Sequence, residues 1–245
     1  MPRTQTLALV GAAGGVGTTR LAVECGATLA RTGRDVAVVD AAFDTQGLAR
    51  YVEGRIEADA TALAAGDAEL GAALYERELD VPGRLALCPA RAPFERLARA
   101  KTAAAARRFE QQLAAAALSY DAVIVDTPPV GGNQALAAVD AADRVAVVTS
   151  SDDRGADALA RIQDRLEDSG ASQDATIATP GDGTLADADA TVPSEPVSPR
   201  ECPACVPPDG SFAPAVAAAV EAALGVELDL EFPEGGRLRG ILDGE

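Results

Sequence analysis

The sequence predicts an α/β fold: a doubly wound, mostly parallel sheet with helices on both faces. Three observations carry this. Short apolar runs alternate with helix-like segments along most of the chain. The runs are apolar at successive positions, as strands covered on both faces require. A glycine-rich turn joins the first run to the first helix, at the edge where such sheets receive phosphates.

The elements follow in order. Thr6 to Gly11 (TLALVG) is the first strand. Residues 17–31 have helical spacing, with Leu21, Cys25, Thr28 and Leu29 on one face and Gly33 as the stop. Asp35 to Asp40 (DVAVVD) is a second buried strand, so a βαβ unit is complete within forty residues. Residues 59–78 are helical in composition, 84–88 (RLALC) form a strand, and 94–118 form one long alanine-rich helix carrying Lys101. Residues 121–126 (DAVIVD) are the clearest strand, closed by Thr127, Pro128 and Pro129. A helix at 135–142, a strand at 144–149, a helix at 155–167 and a weaker strand at 175–179 continue the alternation. Residues 180–208, rich in Pro, Asp, Ser and Thr, are expected to be a long mobile loop. A last helix spans 212–224, giving one domain over 1–232 and a tail over 233–245.

Hydrophobic residues make up 48% of the chain but aromatics only 3%, so the core must be built from Val, Leu, Ile and Ala. The formal charge of −17 repels phosphate backbones, so direct DNA binding is expected to be poor except at high salt. Lys101 is the only lysine among 21 cationic side chains. This acidic, lysine-poor composition resembles proteins of extreme halophiles, where molar salt screens self-repulsion. No run of about 18 apolar residues occurs, so no transmembrane segment is expected and the chain is placed in the cytoplasm. Histidine is absent, which removes the usual general base and the commonest metal ligand.

The segment Gly11 to Arg20 (GAAGGVGTTR) lies between strand and helix. Glycines there let successive backbone N–H groups point inward, and the helix N-terminus adds partial positive charge. Gly14, Gly15, Val16, Gly17, Thr18, Thr19 and Arg20 are therefore candidate phosphate-binding residues. Two acids at strand ends, Asp40 and Asp126, follow in the order a nucleotide site requires.

On these residues the chain resembles the ParA/MinD family of deviant Walker A P-loop ATPases. That family typically reads KGGVGKTT where this chain has Ala13 to Arg20. The stretch LAVECGATLARTGRDVAVVD, the Walker B-like YDAVIVDTPP and residues 141–149 share the resemblance. It implies ATP or ADP with Mg²⁺, Thr19 and Asp126 serving the metal, and Asp40 orienting the attacking water. It also implies a homodimer acting on a protein cargo or adaptor in partitioning or spatial positioning.

The departures are specific. The signature lysine, which in the family reaches the partner subunit's nucleotide, is Ala13; the Walker lysine is Thr18; a family hydroxyl is Arg20; and a second acid is Ala42. The loop is closer to the CpaE/TadZ subgroup, which often reads GGVGTT. No lysine stands nearby, and Arg20 is the nearest cation, expected to approach an α-phosphate. The expectation is a nucleotide-binding protein with weak or absent hydrolysis. The alternatives are a non-catalytic scaffold or, through Cys202 and Cys205 (CPAC), a metal-cluster carrier. Asp44, Thr45 and Gln46 are read as surface loop, and Asn133 and Gln134 as a helix start.

Overall fold

The computed structural model describes residues 5–233. Eight strands form one sheet: β1 (Gln5–Gly11), β2 (Asp35–Asp40), β3 (Tyr75–Arg77), β4 (Arg84–Cys88), β5 (Ala122–Thr127), β6 (Arg144–Ser150), β7 (Ala175–Thr179) and β8 (Ala190–Thr191). Their order is β3-β4-β2-β5-β1-β6-β7-β8, parallel throughout except for the β3–β4 edge pair. The described residues also form the α-helices α1 (Thr18–Arg31), α2 (Ala60–Ala65), α3 (Phe94–Ala100), α4 (Ala103–Ala117), α5 (Asn133–Asp140), α6 (Asp153–Asp168) and α7 (Phe212–Leu224).

The apolar runs serve two cores at once, because successive strand side chains point to opposite faces. Leu7, Leu9, Val36, Val38 and Ile124 pack with α1 and α7 on one face. Val39, Val123 and Val125 pack with α2, α4 and α5 on the other, and Ala8 and Val10 pack there against α6. Alanines bring helices close to the sheet. On the α2–α4 face the buried rings Phe43 and Phe109 meet edge to face at 5.4 Å, and on the α1–α7 face Tyr51 and Phe212 are buried.

Three sequence expectations change. Residues 59–78 are not one helix: α2 ends at Gly66 in the left-handed region (φ 79°), and the chain turns back to form β3. Asp59 caps α2 by accepting from Thr61 N and Ala62 N, and the Tyr75 hydroxyl donates to Ala58 O. The helix expected at 94–118 is broken at Lys101 and Thr102, where the Thr102 hydroxyl accepts from Ala105 N and starts α4. Residues 180–208 are anchored rather than free. β8 pairs with β7, and Val192, Cys202 and Cys205 are buried against α1 and α7. One anchor is Glu24 of α1, fully buried, which accepts from Ala204 N (2.9 Å) and Cys205 N (3.0 Å), and another is Arg77 Nη2, which donates to Arg200 O (2.7 Å) and Cys202 O (3.0 Å). The expected tail lies outside the described residues from position 234 on. No helix among the described residues is long and apolar enough to cross a membrane.

Candidate functional site

The site stands at the carboxyl edge of the central strands. β1 runs into the loop 12–17, tied to β6 by Ala12 N donating to Val148 O (2.8 Å). Gly15 (φ 84°) and Gly17 (φ 88°) adopt left-handed backbone that other residues rarely take. Gly17 is the N-cap of α1 and no side chain caps that end, so the first N–H groups of the helix remain available to an anion. A methyl group added at Gly14, Gly15 or Gly17 would meet nothing within 4 Å, so the face of the loop is open. Thr18, at the Walker lysine position, turns back: a methyl at Gly11 would lie 2.6 Å from its Oγ1.

Asp40 and Asp126 are register partners on β2 and β5 and are both almost fully buried. Both oxygens of Asp40 are engaged: Oδ1 accepts from Ala42 N (2.8 Å), and Oδ2 from Leu48 N and Ala90 N (both 3.3 Å). Asp40 thus braces the loops after β2 and β4. Asp126 bonds the Thr19 hydroxyl, while its Oδ2 is buried with no partner. A threonine and an orphaned carboxylate oxygen below an open loop fit a hard divalent cation, which takes oxygen ligands.

Burial, together with the Asp126 charge, pushes the Asp40 carboxyl up to about 8. Burial likewise raises Asp126, against the opposing Thr19 hydrogen bond. The two titrate as a pair. Carboxyls raised on folding contribute stability that is fully present below the ordinary carboxylate range and lost as pH rises through the folded values. Stability should therefore fall between about pH 4 and about pH 8. Asp126→Asn should flatten that slope and raise stability at pH 8 by about 1 kcal/mol. Urea unfolding across this range checks it; an unchanged slope would place the titration elsewhere.

Arg20 is not directed at the loop. Its Nε pairs with Glu24 (3.0 Å), its Nη1 donates to Glu195 O (2.8 Å), and it stacks over Phe212 at 5.5 Å. The competing attraction of a fully buried carboxylate explains the difference from the sequence expectation. Arg20 instead walls a 290 Å³ cavity flanking the loop, with Thr179, Pro180, Val192, Glu195 and Phe212. Sequence reasoning missed this cavity because its wall comes from residues 179–212, distant in the chain. The one available signal was Glu24 in the buried face of α1, four residues after Arg20. Lys101 pairs with both oxygens of Asp44 in the loop after β2 (2.9 and 2.7 Å), and Asn133 Nδ2 donates to its carbonyl. The four cysteines are free and buried. Among the described residues no group of three or more His, Cys, Asp or Glu side chains is placed to hold a metal.

A strand, an uncapped glycine loop at a helix N-terminus, a threonine in that helix's first turn bonded to a strand-end aspartate, and a second aspartate on the adjacent strand define a P-loop nucleotide-binding fold. The family model described as AAA domain matches residues 4–176, so the chain belongs to that family, within the ParA/MinD group of P-loop ATPases. No match is found among the curated proteins. Similar solved structures include the septum site-determining protein MinD of Pyrococcus horikoshii with Mg-ADP, at 17% identity and TM-score 0.74 over 89% of this chain and 95% of that one. The MinC:MinD cell division complex of Aquifex aeolicus matches at 21% identity and TM-score 0.73, over 93% and 98% of the two chains. A Cyanothece McdA–ATP complex matches at 20% and 0.70, over 94% and 99%. At these identities the likeness shows the fold.

Proposed function

We propose that this chain is a ParA/MinD-like positioning protein that binds Mg²⁺–nucleotide with weak or absent hydrolysis. The observation that carries the proposal is the buried, unpartnered Oδ2 of Asp126 beside Thr19, beneath a loop of uncapped N–H groups. Those residues would hold the metal, and Gly14 to Thr19 the phosphates. When bound, Mg²⁺ neutralises phosphate charge. The 290 Å³ cavity is of a size for the nucleoside end.

Weak turnover follows from what the loop lacks. Neither Ala13 nor Thr18 carries charge, and a missing preorganised cation costs several kcal/mol of transition-state stabilisation in such sites. Asp40, with both oxygens taken by backbone donors, braces loops more readily than it orients water. The names of two similar structures, a septum site-determining protein and a MinC:MinD cell division complex, support a positioning role with a protein partner, and a homodimer is the working form the family resemblance implies. The acidic surface suits a medium of high salt.

Calorimetry with Mg–ATP in molar KCl, followed by a phosphate-release assay, tests this reading. Binding is expected, with turnover at or near background. Brisk hydrolysis would overturn the catalytic half of the proposal, and absence of binding to any nucleotide would overturn the whole.

A further inference from the structure

The loop has an open phosphate face but no lysine, so the question is which cation faces it. Arg20 spends Nε on Glu24 and Nη1 on Glu195 O, with Nη2 buried and unpartnered beside the 290 Å³ cavity, and Lys101 is paired with Asp44. A third cation stands on the other flank. Arg154, the second residue of α6, is exposed and lines a 230 Å³ cavity together with Ala13 to Val16, Ser150 and Asp152.

The fold holds this position firmly. A methyl at Gly155 would lie 1.9 Å from Ser150 O, so only glycine lets α6 begin so close to the end of β6. The Thr149 hydroxyl donates to Gly155 O (2.7 Å), and Asp152 accepts from Gly155 N (2.7 Å) and from the Ser150 hydroxyl (3.0 Å). Because Ala12 N is bonded to Val148 O, the loop and the start of α6 are carried by the same strand. Among the described residues no ion pair within 4 Å engages the Arg154 guanidinium, whose charge acts on the neighbouring Asp152 carboxylate.

Its placement also runs against local preference. A cation in the first turn of a helix opposes the macrodipole, and such violations concentrate where function is served. Asp152 and Asp153 offset part of that cost from the same turn.

We propose that Arg154 is the cation that reads the phosphates of a nucleotide bound at this loop, on the flank left uncharged by Ala13. A guanidinium presents a planar fork of donors suited to phosphate oxygens, and the cavity puts it on the same side as the loop backbone from 13 to 16. The inference rests on the nucleotide-binding reading above, and it makes the site sensitive to phosphate number despite the missing lysine.

The test is calorimetry with Mg–ATP and with AMP in molar KCl, on the native chain, Arg154→Ala and Arg154→Lys, with melting curves to confirm folding. The native chain is expected to bind ATP about tenfold or more tighter than AMP. Arg154→Ala should lose most of that preference and leave AMP affinity unchanged, and Arg154→Lys should keep part of it. ATP affinity unchanged in Arg154→Ala, or equal affinity of the native chain for ATP and AMP, would overturn the role of Arg154 while leaving nucleotide binding intact. A native chain that binds neither nucleotide would overturn the nucleotide reading and this proposal with it.

Discussion

Glu24→Ala is expected to lower the unfolding free energy by about 3–5 kcal/mol, the cost of breaking a buried ion pair from one side. Glu24 has no exposed surface, and its carboxylate is shared among Arg20 Nε, Ala204 N and Cys205 N. Truncation leaves two backbone donors and a guanidinium without their acceptor inside the α1–α7 core. Nothing on α1 can replace them, since its neighbouring buried side chains are apolar or, at Thr28, already bonded to Cys205. Glu24→Gln keeps an acceptor and loses the charge, so its cost should be smaller. Urea unfolding gives both values from the midpoint and slope. The same change should loosen residues 193–205 and with them the far wall of the 290 Å³ cavity. A loss below about 1 kcal/mol for Glu24→Ala would show that this segment is held by its apolar contacts and by the Arg77 bonds to Arg200 O and Cys202 O instead.

Thr18→Lys is expected to tighten ATP binding by about 1–3 kcal/mol, the range of a charge-assisted contact. The rest of the receiving geometry is present: left-handed Gly15 and Gly17, an uncapped helix start, and Thr19 bonded to Asp126. Turnover should rise less than affinity, because Ala13 still denies a partner subunit its lysine. Adding Ala13→Lys should raise turnover further if a family-like dimer forms. Titration calorimetry and a phosphate-release assay read the two effects separately. If Thr18→Lys leaves ATP binding undetectable, the loop is a structural relic and the scaffold reading stands.

The sheet was legible because its evidence is local. DVAVVD, DAVIVD and RVAVVT are continuous apolar runs, and strands buried on both faces need such runs whatever surrounds them. The phosphate loop was legible for a related reason: positive φ at Gly15 and Gly17 is a property of the backbone there. The order of Asp40 and Asp126 after that loop placed both acids at the carboxyl edge, where they pair across β2 and β5.

Helix ends in the alanine-rich stretches were not legible. Alanine favours helix everywhere and marks no boundary, so the breaks after Ala65 and at Lys101 depend on Gly66, Thr102 and the β3 edge pairing. The directions of long charged side chains were decided only by tertiary structure. Arg20 could have faced the loop or the core, and a carboxylate desolvated by α7 and residues 202–205 drew it to the core. Lys101, at the break between α3 and α4, pairs with Asp44 in the loop after β2. By itself the sequence determined six of the eight strands, the loop and its missing lysines, while the short edge strands β3 and β8 were set by their pairing with β4 and β7. Which cations flank that loop was left to packing, because the energy of a charge depends on what removes it from water and what it then meets.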